Sequence, residues 1–191
     1  MKTRLFVTCL PLALLAACGG GESDTPDAEA SADATATPTG ATASDDPVEL
    51  RGDGIAVGSN AFLFNAGRAE VETAAAAAFG EEGLKGKNEE CGAGPVEMVQ
   101  YANGLTLNFQ DGKFVGWLAR PGSEDAPGSV ATAGGVSPGD PAAEAEAMPG
   151  YEAMADSTLD GEFSTSDGIG GFTDDTSGVV GLYAGTNCFF R

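Results

Sequence analysis

The chain has 191 residues and a formal net charge of −20, from 29 acidic and 9 basic residues, and it contains no histidine. A surface this acidic repels nucleic acid and anionic lipid, so we expect neither as a partner, whereas basic proteins or divalent cations would be attracted. The lack of histidine excludes Ser-His-Asp and Cys-His catalysis, imidazole-based zinc sites and the usual proton acceptor at neutral pH.

The first residues have the order of a secretory signal. Lys2 and Arg4 provide a positive start, and residues 5–17 are uncharged. This run is shorter than the ~20 residues that a membrane-spanning helix needs. It ends in Leu15-Ala16-Ala17-Cys18, which resembles the lipobox of bacterial lipoproteins. The resemblance implies that residues 1–17 are a signal peptide.

The same resemblance implies that Cys18 becomes a lipidated N-terminus, with a diacylglyceryl group on its sulfur and an acyl chain such as palmitate on its amine. Two or three acyl chains are enough for stable membrane anchoring. Gly19 rather than Asp follows the cysteine, which in lipoprotein sorting favours the outer membrane. We expect a cell-envelope location, facing the periplasm or the surface. The alternative is ordinary secretion with an unmodified Cys18.

Residues 18–47 differ in composition from the rest of the chain. After Cys18 they contain only Ala, Thr, Ser, Asp, Glu, Pro and Gly. Such a segment buries too little apolar surface to offset its chain entropy, which predicts a disordered acidic tether. Residues 48–191 have the size of a single domain, and we expect this extracytoplasmic domain to carry the function.

Two cysteines lie in the predicted domain, Cys91 and Cys188. In an oxidising compartment we expect them to form a disulfide, which would close a loop of roughly 100 residues. Glu89 and Glu90 precede Cys91 and disfavour a reactive thiolate. Free or redox-active thiols are the alternative.

The first predicted element of the domain is a helix over residues 68–79. It contains five consecutive alanines, from Ala74 to Ala78, and alanine is the strongest helix former. Glu70 and Glu72 fall near its start, where negative charge suits the helix dipole. Gly80 predicts its end.

Three strands follow the helix. In the middle one, Leu105, Leu107 and Phe109 share one face, as in a half-buried antiparallel strand. The dipeptides Asn103-Gly104 and Asp111-Gly112 separate the runs and favour type I′ hairpin turns. The predicted meander has strands over residues 96–101, 105–109 and 113–118.

The second half shows a similar order. Asp140-Pro141 predicts an N-cap followed by proline at the first helical position, and Pro149-Gly150 predicts the end of that helix. The predicted helix covers residues 142–148. Gly-rich strands are predicted over residues 161–165, 168–173 and 179–190.

The two helices begin alike. Phe64-Asn65-Ala66-Gly67 and Val136-Ser137-Pro138-Gly139 each place an apolar residue three positions before a glycine and a Glu-containing helix, which indicates a duplication about 72 residues apart. This pattern resembles the BamE-type assembly lipoproteins and the tandem-repeat β-lactamase inhibitor proteins. The resemblance implies an α+β fold of two helix-plus-antiparallel-meander repeats, about 62–120 and 134–191, that share or abut one sheet. It also implies a concave sheet face that binds another envelope protein.

The sequence has neither a phosphate-cradling Gly-x-x-x-x-Gly-Lys loop nor a strand-linked Gly-x-Gly-x-x-Gly motif. We therefore expect no cofactor and no enzyme, but a membrane-anchored binding or scaffolding protein. A hydrolase using paired carboxylates is one alternative, with candidates Glu89, Glu90, Asp174 and Asp175. A calcium-dependent surface module is another, with candidates Asp167, Asp174 and Asp175.

The single tryptophan, Trp117, has two possible roles. An exposed Trp117 would be a binding anchor, whereas a buried one belongs to the core of the domain. The sequence favours the core.

Overall fold

The computed structural model describes residues 47–189. The expected signal peptide, the lipidated Cys18 and almost all of the expected tether lie outside these residues. The described part combines two helices with two sheets and is mainly strand. The mixed helix-and-sheet class expected from the sequence is therefore confirmed, with more strand than predicted.

The elements of the described chain are two helices and twelve strands. The helices are α1 (Arg68–Phe79) and α2 (Ala142–Glu146). The first seven strands are β1 (Val48–Arg51), β2 (Gly54–Val57), β3 (Asn60–Leu63), β4 (Leu84–Asn88), β5 (Val96–Gln100), β6 (Leu105–Gln110) and β7 (Lys113–Ala119). The others are β8 (Val130–Thr132), β9 (Glu152–Ala153), β10 (Glu162–Ser164), β11 (Gly170–Asp174) and β12 (Gly178–Gly185).

Helix α1 has the predicted bounds. Its C-cap is Gly80 in the left-handed conformation, at φ 67°. Val71, Ala75, Ala78 and Phe79 are buried, so the small alanine side chains let the helix lie close to the sheet. Besides lying near the start of the helix, Glu72 forms two ion pairs, one with Arg68 one turn earlier and one with Lys85 of β4.

Helix α2 is shorter than predicted and covers only Ala142–Glu146. Pro141 is its N-cap, one position later than expected. Asp140 instead accepts a 2.7 Å hydrogen bond from the backbone N–H of Ser137. This bond stabilises the turn before the helix and leaves the first helical position to Ala142.

Eight strands form the large sheet, in the order β4-β5-β6-β7-β12-β11-β10-β9, with antiparallel pairs throughout. Strands β5, β6 and β7 confirm the predicted meander. In the second half β10 lies within its predicted run, whereas β11 and β12 overlap their runs but extend one residue beyond them, to Asp174 and from Gly178. The two outer strands, β4 and β9, were not predicted. Each half of the large sheet therefore has four strands rather than three.

The two predicted turns differ in the structure. Asp111 and Gly112 both have positive φ (49° and 71°), as the type I′ turn requires. At the other turn, Gly104 has φ 89°, whereas the φ of Asn103 is negative. Gly104 N–H donates to Tyr101 O and Tyr101 N–H donates to Leu105 O, which makes a three-residue loop with a glycine bulge.

A second, four-stranded sheet has the order β3-β2-β1-β8. Its strands β1, β2 and β3 form an antiparallel meander, and β8 adds to β1 in parallel. None of these four strands was expected from the sequence. Leu50 and Ile55 of this sheet are almost fully buried in the same core as Trp117 of the large sheet.

The helices and the small sheet lie together against one face of the large sheet, which we call the covered face. Leu105, Ala119, Leu182 and Phe163 form a row on this face through direct pairing of their strands, and each is 0% exposed. Helix α1 contacts β7, α2 contacts β11 and β12, and β2 contacts β7. The core therefore lies between the large sheet and this second layer.

Candidate functional site

The opposite face of the large sheet, which we call the open face, carries a continuous row of side chains. Strand pairing places one residue from each of the eight strands in this row. We call these residues the open row: Leu84, Gln100, Thr106, Leu118, Tyr183, Gly170, Ser164 and Glu152. Because successive side chains alternate between faces, the open row lies opposite the buried row described above.

The side chains of the open row remain accessible. Leu84, Gln100 and Glu152 are exposed, and Thr106, Leu118, Tyr183 and Ser164 are half-buried. Leu84 is 77% exposed. The large sheet thus has one face that is packed except at its two outer strands, and one face from which apolar and polar side chains can contact another molecule.

An aromatic cluster of Phe172, Tyr183 and Phe189 adjoins the open row. The ring centroids are 5.3 Å apart for Phe172–Tyr183, 5.2 Å for Phe172–Phe189 and 4.9 Å for Tyr183–Phe189. Tilted and edge-on rings at these separations attract one another. All three residues are half-buried, so the cluster offers a pre-packed aromatic surface.

A buried carboxylate supports this cluster. Glu162 is 2% exposed and lies opposite Phe172 in the β10–β11 pairing. Tyr183 Oη donates a 2.6 Å hydrogen bond to Glu162 Oε1, and Ser157 Oγ donates to Glu162 Oε2. These bonds compensate for burial of the carboxylate and hold the hydroxyl end of Tyr183 in place.

The sequence does not predict a role for Glu162, and in it Phe172 and Tyr183 count only as apolar content of the strands. Their shared face depends on the register of β10, β11 and β12. A local signal exists in Gly170, which lies beside Tyr183 in that register. A Cβ atom at Gly170 would be 2.4 Å from Cζ of the tyrosine ring, so the glycine makes room for the ring.

The predicted disulfide between Cys91 and Cys188 is confirmed, with the Cα atoms 5.2 Å apart. It joins the loop before β5 to the segment after β12. Asn187 strengthens the same junction, since its side chain donates to Trp117 O and Ala184 O and accepts from Asn108 Nδ2 at 2.9 Å. Phe189 of the aromatic cluster is thereby held at the open face.

Trp117 is not an exposed binding anchor. Its side chain is 0% exposed, and its Nε1–H donates a 2.9 Å hydrogen bond to the backbone oxygen of Arg51. The indole therefore packs between the two sheets and links β7 to β1. The core role that the sequence favoured is the one that the structure has.

The calcium candidates are not brought together. Asp167 precedes β11 and accepts from Thr165 Oγ1, whereas Asp174 and Asp175 lie at the other end of β11. Asp174 Oδ1 accepts from the backbone N–H groups of Thr176 and Ser177, which lowers the pKa of this carboxyl. Within residues 47–189, no group of three or more His, Cys, Asp or Glu could hold a metal ion.

The carboxylates considered for hydrolysis are also spread over the molecule. Glu89 and Glu90 are exposed residues after β4, and Glu89 pairs with Lys87 at 2.7 Å. Asp174 and Asp175 are in the β11–β12 hairpin of the other half of the sheet. The two glutamates therefore do not share a cleft with the two aspartates, as one catalytic set of acids would. Asp174 and Asp175 line a pocket together with Asp140, in which Asp174 Oδ1 already accepts the two backbone hydrogen bonds described above.

A charged cluster on the covered face connects α1 with the first half of the sheet. Arg68 pairs with Glu72 and Glu97, and its guanidinium lies 5.1 Å from the centroid of the Phe109 ring. Burial opposes ionisation of Glu72, but the hydrogen bonds from Arg68 and Lys85 outweigh it and lower the pKa of this carboxyl. Burial, followed by the neighbouring acids, raises the pKa of Tyr101 to about 12.

Comparisons of the chain with protein-family models, with curated proteins and with solved structures found no match. In the part of the chain that the structure describes, no helix is both long enough and apolar enough to cross a membrane.

Proposed function

We propose that this protein is a lipid-anchored, non-catalytic binding or scaffolding protein of the cell envelope, and that its open face receives another envelope protein. The observation that carries the proposal is the open row, which runs from one edge of the large sheet to the other and remains accessible. The helices and the small sheet bury only the covered face.

The chemistry of the open face supports a protein as its occupant. Glu152 at one end is the only charged member of the open row. The centre of the row holds Thr106, Leu118 and Tyr183, next to the aromatic cluster. Depletion of charge and enrichment in aromatic residues are typical of the centre of a protein–protein interface. Tyr183 belongs to one of the three residue types, Trp, Tyr and Arg, that are enriched among energetic hot spots.

We also infer that the domain arose by duplication, which is the architecture that the tandem-repeat resemblance implies. Each half consists of a helix and four strands, and the last strands of the halves, β7 and β12, pair at the centre of the large sheet. The order of strands outward from this pair is the same in both halves. Such a fold would place one continuous binding face across the two repeats.

Two local details support the duplication. Asn65 N–H, before α1, donates to the second residue of β7, Phe114, at 2.7 Å. Gly139 N–H, which is three residues before α2 as Asn65 is three residues before α1, donates to the second residue of β12, Val179, also at 2.7 Å. The two donors are equivalent when counted from the starts of the helices, and not when Gly67 is aligned with Gly139. In addition, the register shifts once in the β6–β7 pair and once in the β11–β12 pair, close to the hairpin turn in each.

The lipid anchor is the part of the proposal that rests on the lipobox. Replacing Cys18 with Ser in the full chain should move the protein from the membrane fraction to the soluble envelope fraction. Intact mass of the membrane-bound wild type should show the added acyl groups. If Cys18→Ser stays with the membrane and the wild type carries no lipid, the proposed anchor is wrong.

The binding role can be tested by photo-crosslinking in the native envelope. A photoreactive amino acid would be placed at Thr106 or Leu118 of the open row, in the full lipidated chain. The matched control position is Ala61, an exposed residue of β3 on the small sheet. We expect a discrete crosslinked partner from the open-row positions that Ala61 does not give. Identical patterns at all three positions would refute the proposed face.

A further inference from the structure

Strand β4 is an edge strand of the large sheet. It pairs with β5 on one side, and among the described residues no strand pairs with its other side. Leu84, Lys85, Gly86 and Lys87 are exposed, and Asn88 is half-buried. An uncovered edge presents backbone N–H and C=O groups that can pair with another strand.

The pairing pattern identifies which backbone groups are free. Tyr101 directly follows β5, and its N–H donates to the backbone oxygen of Leu105 in β6 at 2.9 Å. Tyr101 and Leu105 therefore form a hydrogen-bonded pair, in which the backbone groups of Tyr101 point toward β6. Hydrogen-bonding directions alternate along an antiparallel strand, so Met98 and Gln100 direct their backbone groups to β4. Their partners are Gly86 and Leu84. Lys85 and Lys87 therefore direct their N–H and C=O groups away from the sheet.

A groove of about 220 Å³ lies beside this edge, between α1 and strands β4 and β5. The helix contributes three small residues to its wall, Ala69, Thr73 and Ala76, and also Glu72, which forms an ion pair with the lining residue Lys85. Glu82 is the third charged residue of the lining. Val99 and Tyr101 contribute from the sheet side. A strand added to β4 would direct alternate side chains toward this groove and toward Leu84 on the open face.

The net charge around β4 is negative, because both of its lysines are already paired with glutamates and further glutamates remain. Lys85 pairs with Glu72 at 3.1 Å and Lys87 pairs with Glu89 at 2.7 Å. Glu82, before β4, and Glu90, after it, are exposed and have no basic partner within residues 47–189. Each end of the edge thus carries an uncompensated negative charge.

These features disfavour two occupants. A second copy of β4, paired antiparallel about Gly86, would place Lys85 opposite Lys87 of the other copy. Like charges directly opposite each other destabilise strand pairing. The protein's own segment 19–47 carries seven acids and no base, so Glu82 and Glu90 would repel it.

From the free edge, the adjacent groove and the acidic flanks, we propose that β4 is a second docking site, which takes an extended basic segment of a partner protein as a ninth strand. Backbone hydrogen bonds to Lys85 and Lys87 provide the pairing, as in other cases of strand addition. An apolar side chain of the segment fills the groove under α1. Basic residues near the ends of the segment face Glu82 and Glu90. The site is separate from the open row, except at Leu84.

The test uses the full chain and a synthetic nine-residue peptide of alternating valine and threonine with a lysine at each end. Binding is measured by titration, and amide hydrogen exchange reports the edge directly. We expect slowed exchange at Lys85 and Lys87, whose N–H groups become bonded, and little change in exchange at Gly86. A peptide with glutamate ends should bind at least tenfold more weakly at low ionic strength.

A matched pair of variants isolates the backbone. Lys87→Pro removes an outward N–H, a substitution that an edge strand tolerates, while Lys87→Ala removes the same side chain and keeps the N–H. We expect at least a tenfold loss of affinity for Lys87→Pro and less than a twofold change for Lys87→Ala. Equal affinities, or unchanged exchange at Lys85 and Lys87, would overturn the proposal.

A second test uses a peptide that is N-methylated at the residues that bond to β4. This test does not require the proline variant to fold. The methylated peptide should lose binding to the wild-type chain. If it binds as well as the parent peptide, strand addition is excluded. These outcomes are independent of crosslinking at Thr106 and Leu118, so either proposal can fail without the other.

Discussion

The hydroxyl of Tyr183 on β12 donates a 2.6 Å hydrogen bond to the carboxylate of Glu162 on β10, across the intervening strand β11. Glu162 is 2% exposed and Tyr183 is half-buried. The bond therefore links a carboxylate that needs a donor to a ring at the proposed binding face. It makes the stability of the second half of the sheet and the geometry of that face depend on one pair of residues.

Tyr183→Phe removes this donor and leaves the ring in place. We expect the free energy of unfolding to fall by about 1–3 kcal/mol, because a buried acceptor loses a partner. Tyr151→Phe is the control, since the Tyr151 ring packs on Phe163 and no hydrogen bond of its hydroxyl is found in the described chain. Denaturant unfolding measures both. Equal losses in the two variants would contradict the role of the Tyr183 hydroxyl.

The Cys91–Cys188 disulfide links residues 97 positions apart. Replacing both cysteines with Ser should lower the free energy of unfolding by about 2–5 kcal/mol, mainly because the unfolded chain is no longer constrained. Wild-type protein unfolded in a reducing agent should show the same loss. If oxidised wild type and the double variant unfold at the same denaturant concentration, the disulfide does not stabilise the domain.

Trp117 is the only tryptophan, so its fluorescence reports the core directly. Its emission should be blue-shifted and poorly quenched by acrylamide in the folded state, because the side chain is 0% exposed. Trp117→Phe should cost about 2–4 kcal/mol, from the smaller side chain and the loss of the hydrogen bond to Arg51 O. Strong quenching of the folded protein would show that the indole is accessible after all.

The lowered pKa of Glu72 predicts a pH dependence of stability. Folding favours the ionised form of this carboxyl, so its contribution is present above its ordinary pKa of 4.5 and is lost as the pH falls through the lower folded value. Glu72→Gln should therefore destabilise the protein near neutral pH and less so in acid. Glu70→Gln is the control, because Glu70 is exposed and has no ion pair among the described residues. A difference between wild type and Glu72→Gln that is independent of pH would contradict this account.

Local sequence signals were sufficient for the elements that depend on their own residues. The alanine run and Gly80 predicted the bounds of α1, because propensity and capping act within a few residues. The Asp111-Gly112 dipeptide predicted a hairpin for the same reason. The end of helix α2 was predicted two residues too late, because Ala147 is its C-cap and Met148 N–H donates to Ala145 O in a tighter turn than that of an α-helix.

Strands that form only by pairing with other strands, such as β4 and β8, were not predicted from the sequence. Leu84-Lys85-Gly86-Lys87-Asn88 has no alternation of apolar residues, and it is a strand only because β5 pairs with it. Val130–Thr132 is a strand because it pairs in parallel with Val48–Leu50, far away in the sequence. The stabilisation by strand pairing comes from residues outside the strand's own stretch of sequence. The hydrophobic periodicity of that stretch therefore does not indicate a strand.

The sequence by itself determined that no histidine chemistry is available. It also determined helix α1, the central meander and the pairing of the two domain cysteines, because each follows from local chemistry or from the number of candidates. Only the tertiary structure decided that Trp117 is a core residue, that Asp167 and the two glutamate candidates lie away from Asp174 and Asp175, and that Glu162, Phe172 and Tyr183 meet on an open face. The reason is that strand register decides which side chains share a face of the sheet. Register is set by contacts between residues far apart in the chain, and a shift of one position would move each of these side chains to the other side of the sheet.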